Sequence, residues 1–156
     1  MPRRDQIRMT DTEQRDFIAS AQTIIISSIG KDGVPHPMPM WFGVEEGGAI
    51  VMTTFRKSQK IKNLQGDARV SLLVEDGTSY NELRGVVIYG TAELIDDAER
   101  VIDILSEVAT RNQPVDDGAK QGMRAALAKT APKRIGIRIK PERVVSWDHR
   151  KLGGVY

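Results

Sequence analysis

Ala49-Ile50-Val51-Met52-Thr53-Thr54-Phe55-Arg56-Lys57-Ser58-Gln59-Lys60-Ile61-Lys62-Asn63-Leu64 carries both the architecture and the chemistry of this chain. Ala49 to Thr54 is apolar and β-branched and reads as a short strand. Ser58 to Leu64 reads as a short helix capped by Ser58, with Ile61 and Leu64 on its buried side. Between and within them, Arg56, Lys57, Lys60 and Lys62 place four positive charges within seven residues. A helix N-terminus offers unpaired N–H groups and a partial positive charge, so cations beside it build an anion site. The stretch reads as a phosphate cradle at a strand–helix junction. A solvated basic turn is the alternative that these residues alone leave open.

Upstream, Thr10-Asp11-Thr12-Glu13 fits a capping box, followed by a short amphipathic helix to about Ser20 that carries Phe17, Ile18 and Ala21. Gln22 to Ile29 is a buried strand, and Gly30-Lys31-Asp32-Gly33 a hairpin turn. Val34 to Val44 follows as a second strand. Pro35, Pro37 and Pro39 alternate through it without backbone donors, which suits a sheet edge. Glu45-Glu46-Gly47-Gly48 turns the chain into the strand quoted above.

Downstream, Arg69 to Glu75 is a fourth strand. A polar loop through Gly77, Thr78, Ser79 and Tyr80 leads to a long fifth strand, Leu83 to Ile95, with Gly85 and Gly90 at bulges or close backbone approaches. Helices are predicted from Asp96 to about Thr110 and from Ala119 to Lys129. Lys133 to Ile139 and Arg143 to Trp147 read as two closing strands separated by Pro141. Early hairpin strands, a long fifth strand and two late ones predict a mainly β fold, an antiparallel barrel decorated with helices, in one domain over residues 1–156.

Composition bounds the function. Twenty-three Lys and Arg oppose 21 Asp and Glu, so the pI of about 9.0 reflects a net charge of only +2. That balance favours a local anion site over a polyanion-binding face, and no nucleic-acid partner is expected. The chain has no cysteine, which excludes disulfides, thiolate catalysis and thiolate metal sites. No apolar run reaches membrane-spanning length and no signal core follows Met1-Pro2-Arg3-Arg4, so a cytoplasmic protein without a membrane partner is expected.

Pro37-Met38-Pro39-Met40-Trp41-Phe42 is the second unusual cluster. Met40 and Trp41 are soft, flat surfaces suited to a conjugated ring, although an ordinary edge strand with a core tryptophan gives the same pattern. Beside a phosphate cradle, such a strand suits a flavin-like nucleotide. His36 and His149 are far apart and lack metal-ligand spacing, and no metal site is expected. No Gly-x-Gly-x-x-Gly, Walker-type or Gly-x-Ser-x-Gly pattern occurs, and no catalytic side chain is identified. In an enzyme a cofactor would supply the chemistry. Trp147 to Tyr156, rich in polar and aromatic groups, either folds over a pocket or forms a loose tail.

Taken in order, these clusters resemble the pyridoxamine-phosphate-oxidase-like superfamily, the FMN-binding split β-barrels. More closely they resemble its branch of small oxidoreductases that use the deazaflavin coenzyme F420. The resemblance rests on the opening helix, Ile29-Gly30-Lys31-Asp32-Gly33 with Pro35-His36, Pro39-Met40-Trp41, and Lys57-Ser58-Gln59-Lys60 with Asn63-Leu64. Val70 to Asp76, Arg84-Gly85, Gly90-Thr91-Ala92 and Trp147 to Gly153 complete it.

The resemblance implies a homodimeric split barrel with two cofactor sites at the subunit interface. It implies Pro39, Met40 and Trp41 near the cofactor ring, and Met52, Thr53 and Thr54 along the neighbouring strand. It implies Arg56, Lys57, Ser58 and Lys60 on the phosphate with Asn63 nearby. Gly77, Thr78, Ser79, Tyr80 and Asn81 would come from the partner, and Trp147 and His149 would close the substrate pocket. Two departures set the chain apart from enzymes that oxidise vitamin B6: the Pro37 to Trp41 strand carries no cation, and Asp148-His149-Arg150 does not reproduce their C-terminal Arg-x-His pair. The implied activity is hydride transfer between reduced F420 and a small conjugated or unsaturated substrate. The alternatives are an FMN-dependent oxidase or reductase, or a non-enzymatic flavin or haem carrier with His36 or His149 as haem ligand. No motif specifies one electron acceptor.

Overall fold

The computed structural model describes residues 2–111 and 113–154. Its helices are α1 (Arg3–Gln6), α2 (Asp11–Ser20), α3 (Gln59–Gly66), α4 (Ala98–Thr110) and α5 (Asp117–Ala128). Its strands are β1 (Thr23–Ile29), β2 (Pro35–Trp41), β3 (Gly43–Val44), β4 (Ile50–Phe55), β5 (Arg69–Asp76), β6 (Arg84–Ile95) and β7 (Arg134–Asp148). Single 3₁₀ turns occupy Tyr80–Glu82, Ala131–Lys133 and His149–Leu152.

All seven strands form one antiparallel sheet in the order β2-β1-β5-β6-β7-β4-β3. The two edges, β2 and β3, are joined through Phe42 alone. Consecutive Cα atoms lie about 3.8 Å apart, so the sheet has to curl until its edges nearly meet. The result is the expected mainly β, split-barrel architecture. Its interior holds Ile24, Ile26, Phe42, Ile50, Met52, Leu72, Ile88, Ile137 and Ile139, all buried. α2 adds Phe17 to this core and α3 adds Ile61 and Leu64.

α2 begins with the capping box that Thr10 and Glu13 predict: the Thr10 hydroxyl accepts from Glu13 N at 3.2 Å, and Thr10 N donates to the Glu13 carboxylate at 2.6 Å. α4 covers the outside of β4 and β7, packing Ile104 on Val51 and Ile95. Gly136 makes this approach possible, since a Cβ there would lie 2.9 Å from Ile104 Cδ1. Arg111 fastens the junction of the two edges. Its guanidinium lies 3.8 Å from the Phe42 ring centroid and donates to the carbonyls of Ile18 at 2.6 Å and Phe42 at 3.1 Å.

Three expectations are corrected. The second strand is not continuous to Val44, because the chain leaves one sheet edge at Trp41 and starts the other at Gly43. The two closing strands are one, and Pro141 sits inside it. Pro141 faces Gly90 where the register shifts, and at a bulge a missing N–H costs no ladder bond. Ser58 occupies the N-cap position of α3, but its side chain makes no capping bond. The proline-rich β2 does lie at an edge, as its sequence predicts.

The outer face of five strands carries one apolar row. Pro39 pairs with Ile25, Ile25 with Leu73, Leu73 with Val87 and Val87 with Val145. None of the five is fully buried, and α1 stands beside the Val145 end of the row.

Candidate functional site

The strand–helix junction is built as its sequence implies. β4 delivers Thr54 to the end of the sheet, the Ser58 N–H bonds the Phe55 carbonyl at 2.9 Å to tighten the turn, and α3 begins at Gln59. Lys60 folds back beneath this turn. It is only 7% exposed, and its ammonium donates to the Thr54 hydroxyl at 3.2 Å. The Thr54 hydroxyl in turn lies 3.4 Å from that of Ser58. Burial pushes the Lys60 ammonium below the usual lysine value. An ammonium carries three donors, and a buried one needs acceptors or an opposite charge. Lys60 has no ion pair among the described residues, so its environment fits a phosphate or carboxylate oxygen arriving at the turn. Asn63, one turn on, is buried; it donates to Ser28 of β1 at 3.0 Å and accepts from Gln59 at 2.9 Å. Lys57 stands exposed at the mouth.

Arg56 points elsewhere. It makes a two-pronged pair with Asp96 at 2.8 and 2.6 Å, which raises its own pKa and lowers that of the carboxylate, and it reaches the carbonyls of Pro132 and Arg134. Thr53 also faces away from α3, 3.4 Å from Arg134 Nη1, and Met52 is wholly within the core. On β2 the expected trio divides. Met40 packs against the core, whereas Pro39 and Trp41 project from the other face, Trp41 being 61% exposed. The structure thus brings together Thr54, Ser58 and Lys60, with Asn63 one turn along α3 bonded to Ser28 and Gln59.

A second cluster forms around the β5–β6 loop. Gly77 takes a φ of 111°, which a side chain would strain, and a Cβ there would also strike the Glu82 carbonyl. Thr78, Ser79 and Asn81 are exposed, and Ser79 caps the 3₁₀ turn that carries Tyr80. The Tyr80 and His149 rings lie 5.0 Å apart, and His149 Nδ1 is 2.8 Å from the Tyr80 carbonyl oxygen. Trp147 packs against Gly85, where a Cβ would sit 2.6 Å from its Cη2. Residues 147–152 are no loose tail: His149 N bonds the Leu83 carbonyl, Arg150 pairs with Asp148, and Lys151 holds Glu13 and the Arg8 carbonyl. Val155 and Tyr156 of the expected C-terminal cluster lie outside the described residues.

Sequence reasoning treated loop 77–81 and the pair Trp147/His149 as separate contributions; they are one unit, linked by Gly85 and Tyr80. This unit stands at the end of β5, and α3 stands at its start. Eight extended residues at about 3.3 Å each put roughly 20 Å between this unit and the C-terminal end of α3. Among the described residues no group of three or more His, Asp or Glu could hold a metal, and no helix is long and apolar enough to cross a membrane.

The Pyridoxamine 5'-phosphate oxidase family matches residues 10–148. A crystal structure of the conserved hypothetical protein Rv2991 from Mycobacterium tuberculosis superposes with a TM-score of 0.86 at 40% identity, covering 98% of this chain and 93% of that one. A structure described as an F420 reductase matches at a TM-score of 0.61 and 19% identity, over 83% of this chain and 94% of the other, a likeness of fold alone. The 5a,11a-dehydrotetracycline/5a,11a-dehydrooxytetracycline reductase of Streptomyces rimosus is 31% identical over 75 residues, 45% of this chain. That match spans about half, 53%, of the reductase. The chain belongs to the Pyridoxamine 5'-phosphate oxidase family.

Proposed function

We propose that this family member is a homodimeric oxidoreductase that holds a phosphate-bearing flavin-type cofactor, coenzyme F420 in the first place and FMN in the second, and reduces a small conjugated substrate. The observation that carries the reading is Lys60, a buried ammonium with one hydroxyl partner at the mouth of a helix. When bound, the cofactor ring supplies the hydride. The chain's own part is positioning. Lys60, Ser58 and Thr54 hold the phosphate with Lys57 above it, while Asn63 fixes α3 against β1. Arg56, spent on Asp96, braces the turn.

The separation along β5 favours a dimer. One chain holds Tyr80, Trp147 and His149 at the opposite end of β5 from its own α3, but two sheets packed through the row Pro39–Ile25–Leu73–Val87–Val145 about a two-fold axis can bring one chain's loop end to the other's cradle. Trp147, His149 and Tyr80 then close the partner's site and exclude water from the ring. The departures from the vitamin B6-oxidising pattern, a Pro37 to Trp41 strand without a cation and an Asp148-His149-Arg150 end, support F420 over FMN.

Fluorescence titration with F420 tests the proposal. Saturable binding is expected, weakened about tenfold or more by Lys60→Ala, since a hydrogen bond to a charged group contributes about 1.5–3 kcal/mol. Unchanged affinity in Lys60→Ala would remove the phosphate assignment. A protein that purifies yellow with FMN and ignores F420 would move the reading to the second cofactor.

A further inference from the structure

A separate groove of about 590 Å³ opens between the β1–β2 hairpin and α3. Lys31 and Asp32 come from the hairpin turn, His36 from β2, and Gln59, Lys62 and Asn63 from α3. Its size lies in the range of small-molecule sites. Its chemistry is lopsided. Lys31 and Lys62 are exposed and make no ion pair among the described residues, whereas the Asp32 carboxylate already accepts the Val34 N–H at 3.1 Å.

Two further features mark the groove as built rather than merely open. His36 lies opposite Ser28, the residue to which Asn63 donates, so the imidazole and the α3 amides meet at one floor. His36 Nδ1 is buried without a hydrogen-bond partner. Buried polar atoms are normally satisfied, and an orphan in a groove is a place for a ligand atom.

We propose that this groove is a second anion site, taking a small molecule with at least two negative charges, phosphate or carboxylate. Lys31 and Lys62 supply the opposite charge at the rim, and His36 Nδ1–H donates at the floor. Lys60, Thr54 and Ser58 do not line this groove. The site goes beyond the cofactor reading and does not depend on it.

The test uses the purified full-length protein without cofactor, titrated with pyrophosphate and, in a second arm, citrate, while NMR follows the His36 ring signals. A saturable shift of His36 is expected with one or both anions, and the arm that binds more tightly identifies phosphate or carboxylate as the natural chemistry. Lys31→Glu/Lys62→Glu should raise the midpoint about tenfold or more, since each lost charged contact contributes a factor of this order. Both lysines are exposed, so the fold is expected to survive. Lys57→Ala should leave the His36 midpoint unchanged, and F420 titration of Lys31→Glu/Lys62→Glu reads the cradle separately. His36 signals that stay still at saturating anion, or a midpoint that responds to Lys57→Ala and not to the lysine pair, would overturn the proposal.

Discussion

Gly85→Ala offers the sharpest test of the C-terminal cluster. The Gly85 backbone lies outside the positive-φ region, so alanine meets no backbone strain. The obstacle is Trp147, whose ring atoms Cη2 and Cε2 would lie 2.6 and 2.9 Å from the new Cβ, with Cζ2 closer still. Forcing a methyl into such a contact costs about 1–3 kcal/mol. Alanine also restricts the unfolded chain, which offsets about 0.4–1 kcal/mol. The net loss is at most about 2.6 kcal/mol and centres near 1 kcal/mol, or roughly 2–4 °C in Tm for a domain of this size. The decisive measurement is a thermal-melt cycle with Trp147→Ala. Once the ring is gone the methyl has room, so Gly85→Ala should become stabilising by about 0.4–1 kcal/mol in that background. An equal destabilisation with and without Trp147 would refute the argument.

Lys60→Met should weaken cofactor binding while raising the Tm of the unliganded protein, because it removes a charge that burial disfavours. The lowered Lys60 pKa also sets a pH sign. Between its folded value and the ordinary 10.5 the unfolded chain binds more protons, so the unliganded protein gains stability as pH rises through that window, which urea melts across alkaline pH would register. Cofactor affinity should fall over the same window as the ammonium is lost. Arg111→Ala removes charged bonds to two carbonyls and a ring contact and should cost about 2–4 kcal/mol, visible as a lower denaturation midpoint. Thr10→Ala should cost about 1 kcal/mol by deleting a helix cap, read the same way. Val87→Lys places a charge in the apolar row and should convert the proposed dimer to monomer by sedimentation; a dimer that persists would move the interface elsewhere.

Much of this fold is legible locally. The Thr10/Glu13 box, the Asp97 cap of α4 and the glycine turns act over three or four residues, and each forms where its pattern lies. What escaped was set by distant partners. Nothing near Arg56 reveals that Asp96, forty residues on, will pair with it at the surface. Pro141 signals a strand break until Gly90, fifty residues earlier in the chain, provides a bulge opposite it. The division of Pro39 and Trp41 from Met40 follows from strand alternation and was readable in principle. The union of Tyr80 with His149, and of Gly85 with Trp147, needed the sheet register.

The prolines of β2 have a consequence for solubility. For β2 to hold its ladder to β1, residues 36, 38 and 40 have to supply the donors, so the missing N–H groups of Pro35, Pro37 and Pro39 fall on the outer rim. A foreign strand drifting up to that rim finds acceptors but no alternating hydrogens to grip. Fibril-like growth from this side of the barrel is blocked at its first step, and self-association is left to broad surfaces rather than exposed backbone.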